Sequence, residues 1–317
     1  MTNNSSYIPI HPMVLRIDTF LLFNVYQENE KQEHELFHPA GERYTYKDHN
    51  RVFINSIPVL YVKGDDKNYF SYLENNIFMI LSDPIISIPS KAEIIHSMLQ
   101  YYAMESIFNS TKENILKYEN VIKIFIDLIT DNNTFLKSFI QLTKSSFNEF
   151  NHLVNVGIYA IALTLELPEK EINKNLYEIA SGFFLHDIGK NTIPKSISLK
   201  KTPLTEEEWE VIKKHPQEGF RIINDYGLMT NEAEIIILQH HERHDGKGYP
   251  LGLKENQIHP YGKICAISDA FDALTSNRPY RNATSTFNAL DVMYKEMKEE
   301  FDPEFFSRFV LLFKKSV

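Results

Sequence analysis

Histidines and carboxylates with metal-ligand chemistry cluster in the second half of this chain. Six of its twelve histidines lie between His152 and His244, several of them beside acidic residues. A single histidine on an apolar helix is more often a core residue than a ligand. Six histidines in one helical segment point instead to metal ligation, because buried unpaired imidazoles are costly and one metal ion satisfies several of them. The adjacent pair His186 and Asp187 is the centre of the pattern, since the imidazole can bind one ion while the carboxylate bridges to a second.

The blocks around this pair follow a recognisable order, NHLVNVG, FFLHDIGK, IKKHPQEG, LQHHERHDGKGYP and ISDAFDALTSNRPYR. In this order and at these separations they resemble the HD-GYP subgroup of the HD-domain phosphohydrolases. The resemblance covers about residues 147–285, and the combination of HDxGK with HHExxDGxGYP is very specific. It implies a helical domain with a dinuclear metal centre.

By this resemblance one ion is held by His152, His186, Asp187 and Asp269. A second ion is held by His215, His240 and His241, with Asp187 bridging. Histidine and carboxylate ligands suit Fe or Mn, and are also compatible with Zn, Ni or Co; the resemblance favours iron. Asn148 stands where some family members have a Glu that recruits a third ion, and Glu149 is one residue out of phase, so we expect two ions.

The resemblance also implies which side chains act on the substrate. Asp187 and Lys190 are the predicted catalytic residues, with Lys190 neutralising a phosphate oxygen, although a lysine at a helix end can simply pair with the helix dipole. Predicted substrate contacts are Lys190, Tyr249 of the GYP loop, Arg278 and Arg281. Arginine can fork across phosphate oxygens, but surface arginines are common.

Three neighbouring residues are given lesser roles. Asp272, one turn after Asp269, is expected to orient a histidine or Lys190. His244 departs from the family pattern and is expected in a loop rather than on a metal. Cys265 is interpreted as a small buried apolar residue.

The activity implied is hydrolysis of cyclic di-GMP to linear pGpG, and on to GMP. One alternative is a catalytically weak protein that binds cyclic di-GMP and signals through partners. Another is a phosphohydrolase for a different nucleotide, which the GYP loop disfavours. A protein partner could bind the GYP loop or the N-terminal module.

The elements that position these residues are mainly helical. We predict a small α+β regulatory or partner-binding module over 1–88, a helical connector over 89–145 and the helical catalytic domain over 146–317. Ser90 with Glu93 and Thr205 with Glu208 are predicted capping boxes, and Gly189 is expected to end the helix carrying FFLHDIGK. His34, His38 and His49 stand among charged residues and are interpreted as solvated.

The whole-chain composition excludes several classes of protein. A net charge of -9 disfavours a nucleic-acid polymer as partner, because such binding neutralises many phosphates. The single cysteine excludes an intramolecular disulfide framework. The start lacks a signal-peptide pattern, and the apolar run from Val14 to Tyr26 is too short to span a bilayer. The sequence therefore predicts a cytoplasmic protein that does not insert in a membrane.

Overall fold

The computed structural model describes residues 7–55, 57–143, 149–168, 175–198, 200, 202–276 and 283–314, with only the backbone of 149 and 150. Within it the chain forms two compact units, residues 1–101 and 102–317. The predicted fold class, mainly α with a small α+β part at the N-terminus, is confirmed. The three-part division of the chain stays a prediction.

The first unit combines short antiparallel strands with helices. Its strands are β1 (Tyr7–Ile10), β2 (Thr19–Leu21), β3 (Val25–Glu28), β4 (His34–His38), β5 (Glu42–Tyr44) and β6 (Leu60–Lys63). A four-stranded sheet has the order β1-β6-β3-β4, and β2 pairs with β5 alone. The helices are α1 (Tyr46–Ile54), α2 (Lys67–Ser82) and the first part of α3 (Ile88–Phe108). The alternating burial of β6, with Leu60 and Val62 at 0% exposure, shows that one sheet face carries the core.

Two interpretations of this unit are wrong. His38 and His49 are buried rather than solvated, with 2% and 9% of their surface exposed. Both lie beside Tyr44, with ring centroids 5.6 and 6.2 Å away. The helix α3 begins at Ile88, so Ser90 lies inside it, and Ser87 Oγ accepts a hydrogen bond from Ser90 N at 3.3 Å.

The described residues of the second unit form helices joined by loops. Its elements after α3 are α4 (Lys112–Asp131), α5 (Asn133–Leu142), α6 (Glu149–Glu166), α7 (Leu176–Leu185), α8 (Lys195–Ser198), α9 (Glu206–Ile212), α10 (His215–Asp225), α11 (Asn231–Gln239), α12 (Pro260–Thr275), α13 (Thr286–Glu296) and α14 (Pro303–Lys314). Short 3₁₀ turns cover Ile188–Thr192 and Glu255–Gln257. Helices α6 and α11 each pack against both α7 and α12. Helix α10 lies against the turn Ile188–Thr192.

Aromatic side chains fill the core of this unit on either side of α6. Phe125 of α4 lies 4.7 Å from Phe139 and 5.4 Å from Phe184 of α7, measured between ring centroids. Phe271 of α12 lies 5.1 Å from both Tyr159 of α6 and Phe309 of α14. These edge-on contacts are favourable beyond the area they bury. They fix α6, α7 and α12, the helices that bring the histidines and carboxylates together.

The described residues include no helix long and apolar enough to cross a membrane.

Candidate metal centre

Helix ends deliver most of the predicted ligands. His186 follows the last residue of α7, His215 is the first residue of α10, and His240 and His241 follow α11. His152 and Asp269 project from within α6 and α12. Helix α11 ends at Gln239, His240 is its C-cap, and His241 lies beyond it.

The ligand atoms form two groups that share one carboxylate. His152, His186 and Asp187 have ligand atoms within 4.8 Å of one another, and so do Asp187, His215, His240 and His241. Asp187 Oδ2 lies 3.4 Å from His186 Nε2 and 3.5 Å from His152 Nε2. Its other oxygen, Oδ1, lies 3.1 Å from His215 Nε2 and 3.6 Å from His240 Nε2. Each oxygen of Asp187 therefore faces one group.

Asp269 lies between the same two groups. Its Oδ1 is 3.1 Å from His152 Nε2, and its Oδ2 is 3.6 Å from His241 Nδ1. The structure thus brings together every residue that the sequence predicts as a metal ligand. Their ligation of metal stays a prediction.

The hydrogen bonds of the histidines fix which ring nitrogen is free. Three of them donate Nδ1–H to the carbonyl three residues earlier, at 2.7–2.8 Å: His186 to Phe183, His215 to Ile212 and His240 to Ile237. Each keeps a lone pair on Nε2, the nitrogen that points into the centre. Such bonds on the second nitrogen are the usual support of metal-binding histidines.

His152 is oriented by a carboxylate instead. Its Nδ1 donates to Asp272 Oδ2 at 2.8 Å, and Asn155 Nδ2 donates to Asp272 Oδ1 at 2.8 Å. Ser276 Oγ adds a third hydrogen bond to Asp272 at 3.1 Å. The interpretation of Asp272 as a residue that orients a histidine agrees with this geometry.

The resulting arrangement of atoms fits a cation. His215 Nε2 and His240 Nε2 face each other at 3.1 Å although both Nδ1 atoms are donors, so two lone pairs meet. His186 Nε2 and Asp187 Oδ1 are buried and lack a hydrogen-bond partner among the described residues. Buried acceptors of this kind are costly unless something positive satisfies them.

The ionisation of the residues points the same way. Burial alone would raise the pKa of Asp187, but Lys190 and His186 hold that pKa well below its usual range. Burial likewise opposes ionisation of Asp269, yet its contacts with His152 lower its pKa. Both carboxylates are therefore charged at neutral pH.

The two histidine environments differ in charge. Burial lowers the pKa of His215 and lowers that of His241 still further, so these rings are neutral, as ligation requires. Burial also disfavours a charged His152, but hydrogen bonds with Asp187, Asp269 and Asp272 outweigh it and raise its pKa well above the ordinary value. The carboxylates around His152 thus stabilise a positive charge at this position, which a proton or a metal ion supplies.

Lys190 and Gly189 lie in the turn Ile188–Thr192 next to this centre. Lys190 Nζ donates to Asp187 Oδ2, and 29% of the lysine side chain is exposed. Helix α7 ends at Leu185, so the expectation that Gly189 ends it is wrong. A Cβ at Gly189 would collide with the backbone carbonyl oxygen of His215. Glycine is required there because the turn and α10 approach closely.

The GYP loop closes over the second group. Tyr249 N donates to His241 O at 3.1 Å, and the two rings are in contact with centroids 4.7 Å apart and planes tilted by 32°. A Cβ at Gly248 would come within 2.5 Å of Glu242 Cα, so glycine is required here too. The buried Glu242 carboxylate accepts hydrogen bonds from three backbone amides that follow the loop, those of Leu251, Gly252 and Leu253.

A cavity of about 760 Å³ opens beside the GYP loop, within the size range of small-molecule sites. His240, His241, Asp269 and Tyr249 form part of its wall. The rest of the wall is mixed in charge, with the cations Lys213, Arg243 and Lys247, the aromatic ring of Trp209, and the carboxylates Glu206, Glu210, Glu242 and Glu300.

Several of the residues singled out in the sequence lie outside the ligand groups or outside the described part of the chain. Arg278, Arg281 and Asn148 are not among the described residues, nor is the side chain of Glu149, so these predictions stand as made. His244 belongs to neither ligand group, as expected. Cys265 is fully buried, as expected.

Sequence reasoning missed three supporting residues, Asn155, Ser276 and Glu242. Asn155 follows His152 by three residues and Ser276 follows Asp272 by four, spacings that place each pair on one helix face. That spacing was the available signal. For Glu242, the glutamate inside HHExxDGxGYP, the motif itself marked the position.

Comparison with known proteins gives one family match. The model of the family described as HD domain matches residues 123–305. The chain is similar to a cyclic di-GMP phosphodiesterase of Pseudomonas aeruginosa, with 37% identity over 177 residues, or 55% of this chain and 42% of that protein. A cyclic di-GMP phosphodiesterase of Thermotoga maritima is 31% identical over 246 residues, or 74% of this chain and 66% of that protein.

Two further comparisons add a second substrate name and a fold. The 3'3'-cGAMP-specific phosphodiesterase 2 of Vibrio cholerae is 30% identical over 191 residues, or 60% of this chain and 36% of that protein. This chain therefore spans only part of the length of each of these relatives. Among solved structures, the HDG"Y"P protein Bd1817 of Bdellovibrio bacteriovorus has a TM-score of 0.66 and 22% identity, covering 98% of this chain and 100% of that one. That likeness concerns the fold.

Proposed function

The chain belongs to the HD domain family, as a member of its HD-GYP type, and from this premise we propose that it hydrolyses cyclic di-GMP with a dinuclear metal centre. The products proposed are linear pGpG and, by a second cut, GMP. The observation that carries the proposal is the pair of ligand groups sharing Asp187. One oxygen of that carboxylate faces each group, which is the arrangement a bridging ligand needs.

The proposed ligands divide as the geometry suggests. His152, His186 and Asp269 with Asp187 would hold one ion, and His215, His240 and His241 with Asp187 the other. Two bound divalent ions would supply Lewis acidity at the scissile phosphate and a water of lowered pKa. Nitrogen and oxygen ligands of this kind suit iron, with manganese as the alternative.

The remaining steps fall to the protein's own side chains. Lys190 holds a positive charge at the edge of the centre and is proposed to neutralise a non-bridging phosphate oxygen in the transition state. Asp272 keeps the His152 lone pair directed inward through its hydrogen bond at 2.8 Å. Tyr249, whose ring lies against that of His241, is proposed to contact the substrate where the GYP loop borders the cavity. Arg278 and Arg281 are retained as proposed phosphate contacts on the sequence pattern alone.

A second candidate substrate is favoured by one comparison. A relative bears the name of a 3'3'-cGAMP-specific phosphodiesterase, and that dinucleotide differs from cyclic di-GMP in one base. The phosphodiester chemistry is common to both, so the metal centre serves either. Choice between them rests on the walls of the cavity.

The test is product formation by the purified protein reconstituted anaerobically with iron or manganese. We expect cyclic di-GMP to be converted to pGpG, resolved from GMP by chromatography, at a higher kcat/KM than 3'3'-cGAMP. The variant Asp187→Ala should form neither product. Tight binding of cyclic di-GMP without turnover would contradict the proposal and identify a sensor, whereas hydrolysis of other nucleotides alone would reassign the substrate.

For residues 1–88 we propose a regulatory or partner-binding role. This rests on the resemblance alone, because members of the HD-GYP family usually carry such a domain. A protein partner at the GYP loop is proposed on the same basis.

A further inference from the structure

One face of α9 forms a wall of the cavity beside the metal centre. The residues of this face that line the cavity are Glu206, Trp209, Glu210 and the C-cap residue Lys213. Their spacing is i, i+3, i+4 and i+7, which places all four on one side of a helix. The cavity is therefore bordered by an aromatic ring with a carboxylate on each side and a lysine beyond.

Trp209 is unusual in its exposure. It is the only tryptophan in the chain, and 48% of its surface is exposed. Tryptophan is highly buried on average, because its large apolar area favours leaving water. Here the indole faces a cavity whose wall also contains His240, His241 and Asp269. Planar aromatic rings in such positions are stacking platforms for nucleobases.

The helix that carries Trp209 is anchored at both ends. Helix α9 starts at a capping box, in which Glu208 N donates to Thr205 Oγ1 at 3.3 Å and Thr205 N donates to Glu208 Oε2 at 2.8 Å. Lys200 adds an ion pair to the same Glu208. At its other end the helix leads directly to His215, whose Nδ1 donates to Ile212 O of α9. The backbone of Trp209 is therefore tied to the same helix end that orients His215.

The two carboxylates beside the indole are not equivalent. Glu210 is paired with Lys213 at 2.7 Å. Glu206 lies one turn before Trp209 at the exposed start of the helix. A carboxylate is an acceptor with two oxygens. Guanine presents two adjacent donors, N1–H and the N2 amino group, along its pairing edge, whereas adenine presents one donor and one acceptor there.

We propose that this face of α9 is a guanine-binding subsite of the cavity. Trp209 stacks on one base of the cyclic dinucleotide, and Glu206 accepts hydrogen bonds from that base's N1–H and N2 amino group. The proposal rests on the proposed function and adds a source of base specificity to it. In this proposal α9 determines which dinucleotide binds, because the metal centre acts on the phosphodiester that all of them share.

The first experiment uses Trp209 as its own reporter. The metal-loaded full chain is mixed rapidly with cyclic di-GMP, and fluorescence is excited where tyrosine does not absorb. Since there is one tryptophan, any change on binding comes from position 209. We expect saturable quenching within the mixing phase and recovery as product leaves.

The second experiment separates binding from chemistry. Loss of a base-stacking residue weakens binding by about tenfold to a hundredfold, so Trp209→Ala should raise KM for cyclic di-GMP by that factor and leave kcat within about twofold. Trp209→Phe keeps a ring and should restore most of the affinity. Phe287→Ala is the matched control, since Phe287 is an exposed aromatic residue of α13 outside the cavity wall. It should leave KM unchanged.

Base selectivity tests the carboxylate. Glu206→Gln should reduce the preference for cyclic di-GMP over cyclic di-AMP by about tenfold, since a site built to pair with donors discriminates through them. Glu207→Gln, the adjacent residue outside the cavity wall, should keep the preference.

The outcomes distinguish the two proposals. If the wild type hydrolyses cyclic di-GMP but shows no quenching, and Trp209→Ala keeps the wild-type KM, the subsite is wrong and the proposed function stands. An unchanged base preference in Glu206→Gln refutes the role of the carboxylate. A wild type that neither binds nor hydrolyses cyclic di-GMP refutes both proposals. Should Trp209→Ala fail to fold, quenching in the wild type and the KM of Trp209→Phe decide the question.

Discussion

Replacing Asp272 with asparagine changes one oxygen into an amino group beside the metal centre without altering the shape of the side chain. The carboxylate accepts from His152 Nδ1 and Asn155 Nδ2 at 2.8 Å each, and from Ser276 Oγ at 3.1 Å. An amide has one acceptor and one donor at these positions. Either the amino group faces His152 and forces its proton to Nε2, or it faces Asn155 and repels that amide.

The size of the effect follows from these contacts. A hydrogen bond to a charged group contributes about 1.5–3 kcal/mol and a neutral one about 0.5–1.5 kcal/mol, so the loss of charge at Asp272 costs about 1–1.5 kcal/mol. Rearrangement of Asn155 adds to this. Substitutions of residues that orient metal-binding histidines lower metal affinity by about tenfold to a hundredfold. We expect that range for the ion held by His152.

The second ion provides an internal control. The imidazoles of His215 and His240 are oriented by backbone carbonyls, so Asp272 has no part in their support. We therefore expect the metal content of Asp272→Asn to fall from two ions per chain towards one under mild chelation. Thr275→Ala, on the same helix but bonded to Phe271 O instead, is the control that keeps both. Metal content is measured by elemental analysis after equilibrium dialysis. If Asp272→Asn keeps both ions at wild-type affinity, or loses both equally, the argument from tautomer control is wrong.

Two further outcomes are expected. Asp187→Ala should lose both ions, because the Asp187 carboxylate faces both ligand groups. Lys190→Ala should keep both ions in elemental analysis, but its kcat should fall by about 10²–10³-fold because the positive charge is missing. Equal loss of metal in the two variants would contradict the roles assigned. Glu242→Gln should lower Tm in calorimetry by a few degrees, since a buried carboxylate that accepts hydrogen bonds from three backbone amides contributes about 1–3 kcal/mol. The variant should also turn over more slowly at unchanged metal content. A wild-type Tm would contradict the role assigned to Glu242 in the loop.

The sequence was informative where residue type and spacing act through chemistry. The predicted ligands meet in one place because His and Asp at these positions serve no other packing need. The capping box of Thr205 and Glu208 is confirmed, since its signal is local and its helix has no competing start. Helix α12, which covers the block around Asp269, lies within the domain predicted to be helical.

The sequence failed where a distant contact decides the local structure. Gly189 is read as a helix stop from its neighbours alone, but the backbone of α10 is what requires a glycine there. Helix α3 starts before Ser90 because Ser87 supplies an earlier cap. His38 and His49 are surrounded by charged residues in the sequence, yet pack beside Tyr44 in three dimensions.

Three of the candidate ligands take their orientation from a carbonyl three residues earlier, at the point where a helix stops. This has a consequence for how the protein tolerates change. An insertion of one residue within that turn rotates the side chain by about 100° and exchanges its carbonyl partner. Homologous chains should therefore keep the segment between each of these histidines and its carbonyl partner at constant length.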